Sequence, residues 1–364
     1  MTRDSIFSHA YAVILAGGSG TRFWPASRRT RPKQLLEGVF GDGTLLERAA
    51  ERVQGLIPPE RTFVFTNTLL KERIAALLPR VPAAQIVAEP AARNTAPSLG
   101  LAAHEVLKLD PEGMMVVLPS DHLITKPAVF RRALRAALRW AWTEGRSLLI
   151  GLKPSSAHTG FGYIHRSDLA AALEGQKIYR VESFKEKPSA PVAAKYVASG
   201  DYLWNGGMFV WRASTLLANL RRFKPEMARG LERIAKAGGA QNTKTLARIY
   251  PKLEKISIDY AVAEKADEVY VVAADLGWSD VGSWSEVYAL RPKDAQGNVR
   301  PRRSLCMDAK GNLIVAGKFV AAVGVRDLII VETPDAIVVA DRNQAQEVGK
   351  AVAEMERQGW KDLL

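Results

Sequence analysis

The sequence predicts an α/β protein with a mixed, mostly parallel central sheet, followed by a small β domain that ends in a helix. Two observations carry that expectation. Over the first ~290 residues short apolar runs alternate with amphipathic segments, the pattern of strands and covering helices that runs most strands parallel. Beyond Asn298 the apolar runs follow one another across short turns, with no helical segment until the C-terminal tail. A chain of 364 residues also exceeds what one small core needs. The expected boundaries are 1–290 for the large domain and 298–364 for the small one, joined by "ALRPKDAQGN".

In chain order, "AVILAGG", "RTFVFTN", "QIVAEP", "GMMVVLPSDH" and "SLLIGL" read as buried strands that end in turn residues. Between them "LLERAAERVQGL", "LLKERIAALLPRV", "TAPSLGLAAHEVLKLD" and "FRRALRAALRWAWTEG" carry helical periodicity. The later "GNLIVAGKFVAAVGVRDLIIVETPDAIVVADR" supplies the β runs of the small domain, and "NQAQEVGKAVAEMERQ" its closing helix. In such sheets ligands bind outside the carboxyl ends of the strands, which singles out Gly17, Glu89 and Asp121.

Composition is ordinarily globular, with 47% apolar and 24% charged residues, and leaves no room for long disorder. The one cysteine, Cys306, cannot form an internal disulfide, so a reducing cytoplasm is expected. The first apolar run, Tyr11 to Ala16, is too short for a secretion signal, and no segment approaches the ~18 apolar residues of a spanning helix. No membrane is expected as a partner. The formal charge of +13 invites a nucleic-acid reading, yet the basic residues are scattered among Ala and Leu at helical spacing. They read as solvated helix faces and a phosphate-handling pocket, with no nucleic-acid partner.

The glycine turn after the first strand, "GGSGTRFWPASRRTRPKQLL", is not a dinucleotide fingerprint. Phe23 stands at the third glycine position and Pro25 disfavours a helix opening there. A P-loop is excluded because no G-K-[ST] closes the turn. What is left is an extended loop whose amides can approach phosphate oxygens, with Arg22, Arg28, Arg31 and Lys33 as its charges.

Other residues admit two readings each. Asp121 ends so apolar a strand that its carboxylate must face a cleft or cap the next helix. Asp280, in "GWSDVGSW", is less readily a cap, and two distant carboxylates suit a hard divalent cation shared with phosphate. In "FKEKP", regular alternation puts Lys185 and Lys187 on one face and Glu186 on the other, as in a solvated edge strand. Thr95 suits an N-cap, with Pro97 early in the helix. Trp204 and Trp211 read as core, Trp284 as core or ligand-stacking, His104 as core or surface and His122 as structural.

The stretch Leu15 to Leu36 resembles the signature of the sugar-nucleotide pyrophosphorylases, G-G-x-G-T-R-[FL]-x-P-x-S-…-P-K-[QP]. With Trp24 and Lys33-Gln34 it is similar to their mannose-1-phosphate guanylyltransferase branch. "EPAARNTAP", "LPSDHLI", "TGFGYI", "FKEKP", "WNGGMFVW" and "DLGWSDVGSW" occur in that family's order along the chain. The resemblance implies a Rossmann-like, GT-A-like nucleotidyltransferase domain and a short β-helix-like C-terminal domain. It implies attack of mannose 1-phosphate on GTP, giving GDP-mannose and diphosphate with Mg2+ as cofactor.

By the same resemblance Leu15, Ala16, Gly17, Gly18, Ser19, Gly20 and Thr21 cradle the nucleotide, and Arg22 and Lys33 contact the triphosphate. Glu89, Arg93, Asn94 and Thr95 form the guanine and ribose side. Gly162, Glu186, Lys187 and Asn205 take the sugar phosphate, Lys187 on its phosphate; Asp121 and Asp280 hold the metal. The alternatives are a pyrophosphorylase for another sugar 1-phosphate or nucleotide, and a non-catalytic sugar-nucleotide-binding paralogue. Retention of Arg22, Lys33, Asp121, Lys187 and Asp280 argues against the latter. Some members carry a cupin-like isomerase domain after the transferase; this chain reaches Leu364 soon after its β domain, so no isomerase activity is expected. A homodimer is expected on family analogy alone.

Overall fold

The computed structural model of the chain describes residues 5–18 and 20–364. Internal packing divides it into two compact units. The first comprises Met1–Gly17, Ala49–Ser120 and Ile124–Trp278; the second comprises Gly18–Arg48, Asp121–Leu123 and Ser279–Leu364. The glycine-rich loop and Asp121 therefore pack with the C-terminal part of the chain, a grouping that the linear order of motifs does not reveal.

The first unit is built on nine strands in the order β3-β2-β1-β4-β9-β6-β10-β8-β7. Strands β1 (Ala10–Leu15), β2 (Thr62–Asn67), β3 (Ile86–Glu89) and β4 (Met114–Pro119) pair in parallel. A two-residue strand, β5 (Leu123–Ile124), precedes β6 (Leu148–Leu152). The long hairpin β7 (Gly162–Leu173) and β8 (Gln176–Lys185) is antiparallel, as is β9 (Tyr202–Arg212) with both its neighbours β4 and β6. Strand β10 (Tyr270–Ala274) runs parallel to β6, and the two-residue β11 (Trp278–Ser279) pairs with β5 outside the nine-stranded sheet. The sheet is thus mixed, with one continuous parallel half.

The apolar runs are continuous because both faces are covered. Along β1 and β4, Tyr11, Val13, Met115 and Val117 enter one core, while Ala10, Ala12, Met114 and Val116 enter the other. Successive side chains of a strand point to opposite faces, so each run feeds both cores.

The helices are α1 (Leu45–Val53), α2 (Lys71–Leu77), α3 (Thr95–Leu109), α4 (Pro127–Glu144) and α5 (Ala190–Ser199). They are followed by α6 (Ala213–Phe223), α7 (Pro225–Lys236), α8 (Thr243–Ile249) and α9 (Trp284–Leu290). In α4, Phe130, Ala133, Leu134, Ala137, Leu138 and Ala141 are buried at helical spacing, and Gly145 ends the helix in the left-handed conformation. Among the described residues no helix is long and apolar enough to cross a membrane.

In the second unit β12 (Ser304–Met307) pairs in parallel with β14 (Val320–Val323), and β13 (Leu313–Val315) with β15 (Leu328–Glu332). Pairing of alternate strands is the stacking of a short β-helix, closed by antiparallel β16 (Ile337–Asp341) and by α10 (Val348–Gln358). Two buried asparagines pin the stack. Asn312 donates to Asn298 Oδ1 at 3.0 Å, and its own Oδ1 accepts from the Leu328 amide at 2.9 Å. Phe23, Leu36, Val39 and Phe40 of the loop share one core with Trp284, Leu313, Ile329 and Val331.

Candidate active site

In the second unit the two ends of the glycine-rich loop meet. Gly20 has φ +62°, and a Cβ there would lie 2.5 Å from Lys33 Cβ and 2.7 Å from the Lys33 amide nitrogen. Glycine is needed for both reasons. The turn Thr21–Phe23 starts from it, Ser27 Oγ donates to the Gly20 carbonyl at 2.8 Å, and Gln34 Nε2 donates to the Gly18 carbonyl at 3.1 Å. A Cβ on Gly18 would meet nothing within 4 Å, so the backbone there is open to a ligand. Ser19 lies outside the described residues.

Lys33 is buried, with its ammonium 2.8 Å from Asp121 Oδ2; it also donates to the carbonyls of Asp280, at 2.7 Å, and Val281, at 3.3 Å. The loop thus brings together Lys33, Asp121 and the Asp280 segment. Val281 has φ +43°, an outlier for a β-branched residue, and such strain collects at functional sites. Nothing in the local sequence signals it. Asp121 sits in a turn ahead of β5, which removes its reading as a helix cap.

The four loop cations divide. Arg22 is exposed, with no ion pair among the described residues, while Arg28 makes a two-pronged pair with Asp335 at 3.0 Å and lies over the Trp24 ring. Arg28 is therefore a brace for the loop, and Arg31 closes it by a backbone bridge to Arg28. Trp24 Nε1 donates to the Leu363 carbonyl at 2.9 Å, Trp284 Nε1 donates to the Trp24 carbonyl, and Arg29 pairs with Glu356. Trp284 is fully buried, the core reading of the two expected for it.

In the first unit the candidate nucleotide residues gather at the carboxyl ends of the parallel strands. Leu15 and Ala16 close β1, where the Ala16 amide donates to the Phe65 carbonyl and Thr66 Oγ1 donates to the Ala16 carbonyl. Gly17 is open on its Cβ side. Glu89 ends β3 and accepts from Ser98 Oγ at 2.5 Å and from Tyr250 Oη. Arg93 donates to the Pro251 carbonyl. The N-cap of α3 is Asn94, at φ +64°, whose side chain accepts from the Thr95 amide. Thr95, expected as the cap, instead accepts the Ile258 amide proton on its hydroxyl at 2.8 Å. Asn94 takes the cap in a backbone conformation, φ +64° and ψ −169°, that few residues other than glycine adopt.

The candidate sugar residues also meet in this unit. Gly162 pairs with Asn205 across β7 and β9, and a Cβ on Gly162 would collide with Glu186 Oε2. The room that glycine leaves is taken by that carboxylate. Strand β8 stops at Lys185, and Lys187 has φ +46°, so the regular alternation expected through "FKEKP" fails. The Lys187 ammonium lies 3.0 Å from Glu186 Oε1. Asn205 Nδ2 donates to Asp259 Oδ1 at 2.7 Å and its Oδ1 accepts the Gly207 amide. Asp259 opens a π-helical turn, Asp259–Ala263, and was not singled out in the sequence, because "SIDYAV" carries no spacing that marks it. Trp204 and Trp211 are core residues, as expected.

The nucleotidyl transferase family model matches residues 11–297, and a mannose-phosphate isomerase/GMP-like β-helix domain matches 302–355. An Escherichia coli mannose-1-phosphate guanylyltransferase is 38% identical over 93% of this chain and 72% of its own length. The enzyme of that name from strain K12 is 36% identical over 97% of this chain and 74% of its own. The chain is a nucleotidyl transferase of the mannose-1-phosphate guanylyltransferase family. A crystal structure from Thermus thermophilus, named a mannose-1-phosphate geranyltransferase, aligns with TM-score 0.85 at 36% identity. It covers 96% of this chain and 99% of that one, so the Rossmann-like first unit and the β-helix-like second belong to one shared architecture.

The electrostatics of this nucleotidyl transferase differ between its groups of carboxylates. Burial works to raise the Asp121 carboxyl, but the charges of Lys33 and His122 and the hydrogen bonds it accepts hold it below the ordinary range. Glu89 is raised by burial, against the two hydroxyls that stabilise its anion. Asp259 is raised by burial, against the Asn205 amide and with the Glu186 charge adding to the rise. Among the described residues no group of three or more His, Cys, Asp or Glu is arranged to hold a metal. The Lys33 ammonium is surrounded by the Asp121 carboxylate and the main-chain carbonyls of Asp280 and Val281, oxygens that favour positive charge. A donor set of hard oxygens fits a hard cation that takes its remaining ligands from phosphate and water.

Proposed function

We propose that the protein transfers a guanylyl group from GTP to mannose 1-phosphate, giving GDP-mannose and diphosphate with Mg2+ present. A sugar phosphate is largely dianionic at neutral pH, its second pKa lying near ~6, so its oxygen needs no general base. The sugar-phosphate oxygen forms a bond to the α-phosphorus of GTP as the bond from that phosphorus to the β-bridging oxygen breaks. The problem is to bring two anions together, which is one of positioning and charge neutralisation.

The observation that carries this reading is the meeting of Lys33, Asp121 and the Asp280 segment in the same unit as the open Gly18 backbone. The loop amides from Gly18 to Thr21 cradle the triphosphate, and Arg22, exposed and unpaired among the described residues, takes the departing diphosphate. Lys33 neutralises the reacting phosphates, exchanging a main-chain carbonyl for a phosphate oxygen. Asp121 and Asp280 would hold Mg2+, which when bound polarises phosphate oxygens and screens their charge. Leu15, Ala16, Gly17, Glu89, Arg93, Asn94 and Thr95 serve the nucleoside, and Gly162, Glu186, Asn205 and Lys187 the sugar phosphate. A homodimer and a cytoplasmic location complete the proposal, the first on family analogy alone.

The test is diphosphate release in a matrix of GTP and dTTP against mannose and glucose 1-phosphate, with Asp121→Ala and Asp280→Ala beside the wild type. The expected result is turnover confined to GTP with mannose 1-phosphate and lost in both variants. Comparable turnover of dTTP with glucose 1-phosphate overturns the choice of substrates; no diphosphate release from any pair overturns the enzymatic reading.

A further inference from the structure

Glu89 is held in an unusual way. It ends β3 and stands beside the first turn of α3, where Ser98 is buried, and beside the short turn Tyr250–Lys252, where Tyr250 is fully buried. Both hydroxyls donate to the same oxygen, Oε1, and together fill its two lone pairs. Oε2 has no hydrogen bond among the described residues. The same turn takes Arg93 through the Pro251 carbonyl, so one segment, 161 residues from Glu89 in sequence, fixes two residues of the candidate nucleoside side.

We propose that Tyr250, assisted by Ser98, is a positioning residue for base selection: it orients Glu89 so that Oε2 accepts hydrogen bonds from the donor edge of guanine. The inference rests on the function proposed above. Guanine presents N1–H and a 2-amino group side by side, adenine presents an acceptor at N1, and hypoxanthine keeps N1–H without the 2-amino group. A carboxylate oxygen therefore attracts guanine, repels the adenine edge and gives hypoxanthine half of the interaction. A site built to receive a donor rejects analogues that lack it far more strongly than an apolar pocket rejects a missing methylene. The selection works only if the carboxylate is held with one oxygen free and facing the base. A buried tyrosine, with two torsions fixed by packing, supplies that constraint.

The test uses the full chain with Tyr250→Phe, which keeps the buried ring and removes the donor. Diphosphate release with mannose 1-phosphate is followed while GTP, ITP and ATP are varied. The expected result is a KM for GTP raised about tenfold, as for loss of one hydrogen bond to a charged group, with kcat within about twofold of wild type. The ratio of kcat/KM for GTP over ITP falls toward one, and Ser98→Ala moves both quantities the same way by less. A Tyr250→Phe enzyme with wild-type KM for GTP and wild-type GTP:ITP ratio overturns the inference. So does an equal loss for all three nucleotides, which marks a merely structural role. If Tyr250→Phe does not fold, Ser98→Ala is read by the same criteria. Failure of the wild type to use GTP at all defeats the proposed function instead, and the two failures are distinct.

Discussion

Three carboxylates at the candidate sites, Asp121 in one unit and Glu89 and Asp259 in the other, are treated in opposite ways. In the second unit Asp121 is countered by a buried ammonium and held below the ordinary range; in the first, Glu89 and Asp259 meet only neutral hydroxyl and amide donors and are raised. The side assigned to phosphates is thus built from paired full charges. On the side proposed for base and sugar, Glu89 and Asp259 are desolvated acceptors held by neutral donors, while Glu186 is paired with Lys187. Charge recognises a phosphate at any orientation, whereas a fixed acceptor distinguishes one arrangement of donors from another. On the proposed assignment, the contrast separates the part suited to the chemistry from the part suited to selecting what undergoes it.

The sharpest way to break the first half of this contrast is Gly20→Ala. The new Cβ would press on the backbone of Lys33 in a left-handed conformation, a strain on the order of 2–4 kcal/mol, and would displace the ammonium from Asp121. Diphosphate release is expected to fall at least ~100-fold, the cost typical of a misplaced group, and a thermal melt should show the local loss. Wild-type turnover would show that the contact between the loop's ends is dispensable.

Asp121→Asn tests the pair itself. It leaves a buried ammonium without its counter-charge, and because Asp121 is about one-third exposed the destabilisation should lie near ~2–3 kcal/mol, below that of a fully buried pair. The pH dependence has a definite sign. The Asp121 carboxyl is depressed below 3.8, so its stabilisation is complete above that value and disappears as pH falls through the folded-state pKa. Urea midpoints from pH 7 down to pH 2 should show wild type and variant converging at the acid end.

Asp259→Asn has the smallest expected effect, within about 1 kcal/mol. Its sign is opposite. With the folded carboxyl raised above 3.8, a penalty develops as pH climbs from 3.8 through the raised value and remains at neutral pH. Relative to wild type, the variant should therefore gain stability with rising pH over that window. Parallel urea-midpoint curves for the two proteins would remove the distinction drawn between the units.

Much of the fold is legible because it depends on local chemistry. "AVIL", "TFVF" and "MMVVL" read as buried strands because short runs apolar at every position, bounded by turn residues, suit a strand covered on both faces, and α4 shows its buried stripe in its own spacing. The candidate site is legible in part. The glycines, Arg22, Lys33, Asp121 and Asp280 stand out by type and order, whereas Tyr250 and Asp259 lie in "RIYPKLEKISIDYAV", a stretch with no distinguishing spacing. Their partners come from elsewhere: Tyr250 reaches Glu89 across 161 residues, and Asp259 reaches Asn205 across 54. The cap at Asn94, the break in alternation at Lys187 and the bracing role of Arg28 were unreadable for a related reason, since each turns on a backbone angle or an acidic partner fixed by distant segments.

The hairpin β7–β8, β9, β10 and α5 to α9 were not read from local sequence. Local sequence alone settles the strands and helices up to residue 152, the change from α/β to stacked β structure and the motif order that marks a nucleotidyl transferase. These follow from hydrophobic periodicity and from residue types confined to short windows. Only the tertiary structure decided that the loop packs with the C-terminal strands, that Lys33 is matched to Asp121, and which oxygen of Glu89 is left open. Those outcomes depend on which charges lose their water together and which donors arrive from remote segments. Such energies are set by distances in space, and distances in space are fixed only when the chain has folded.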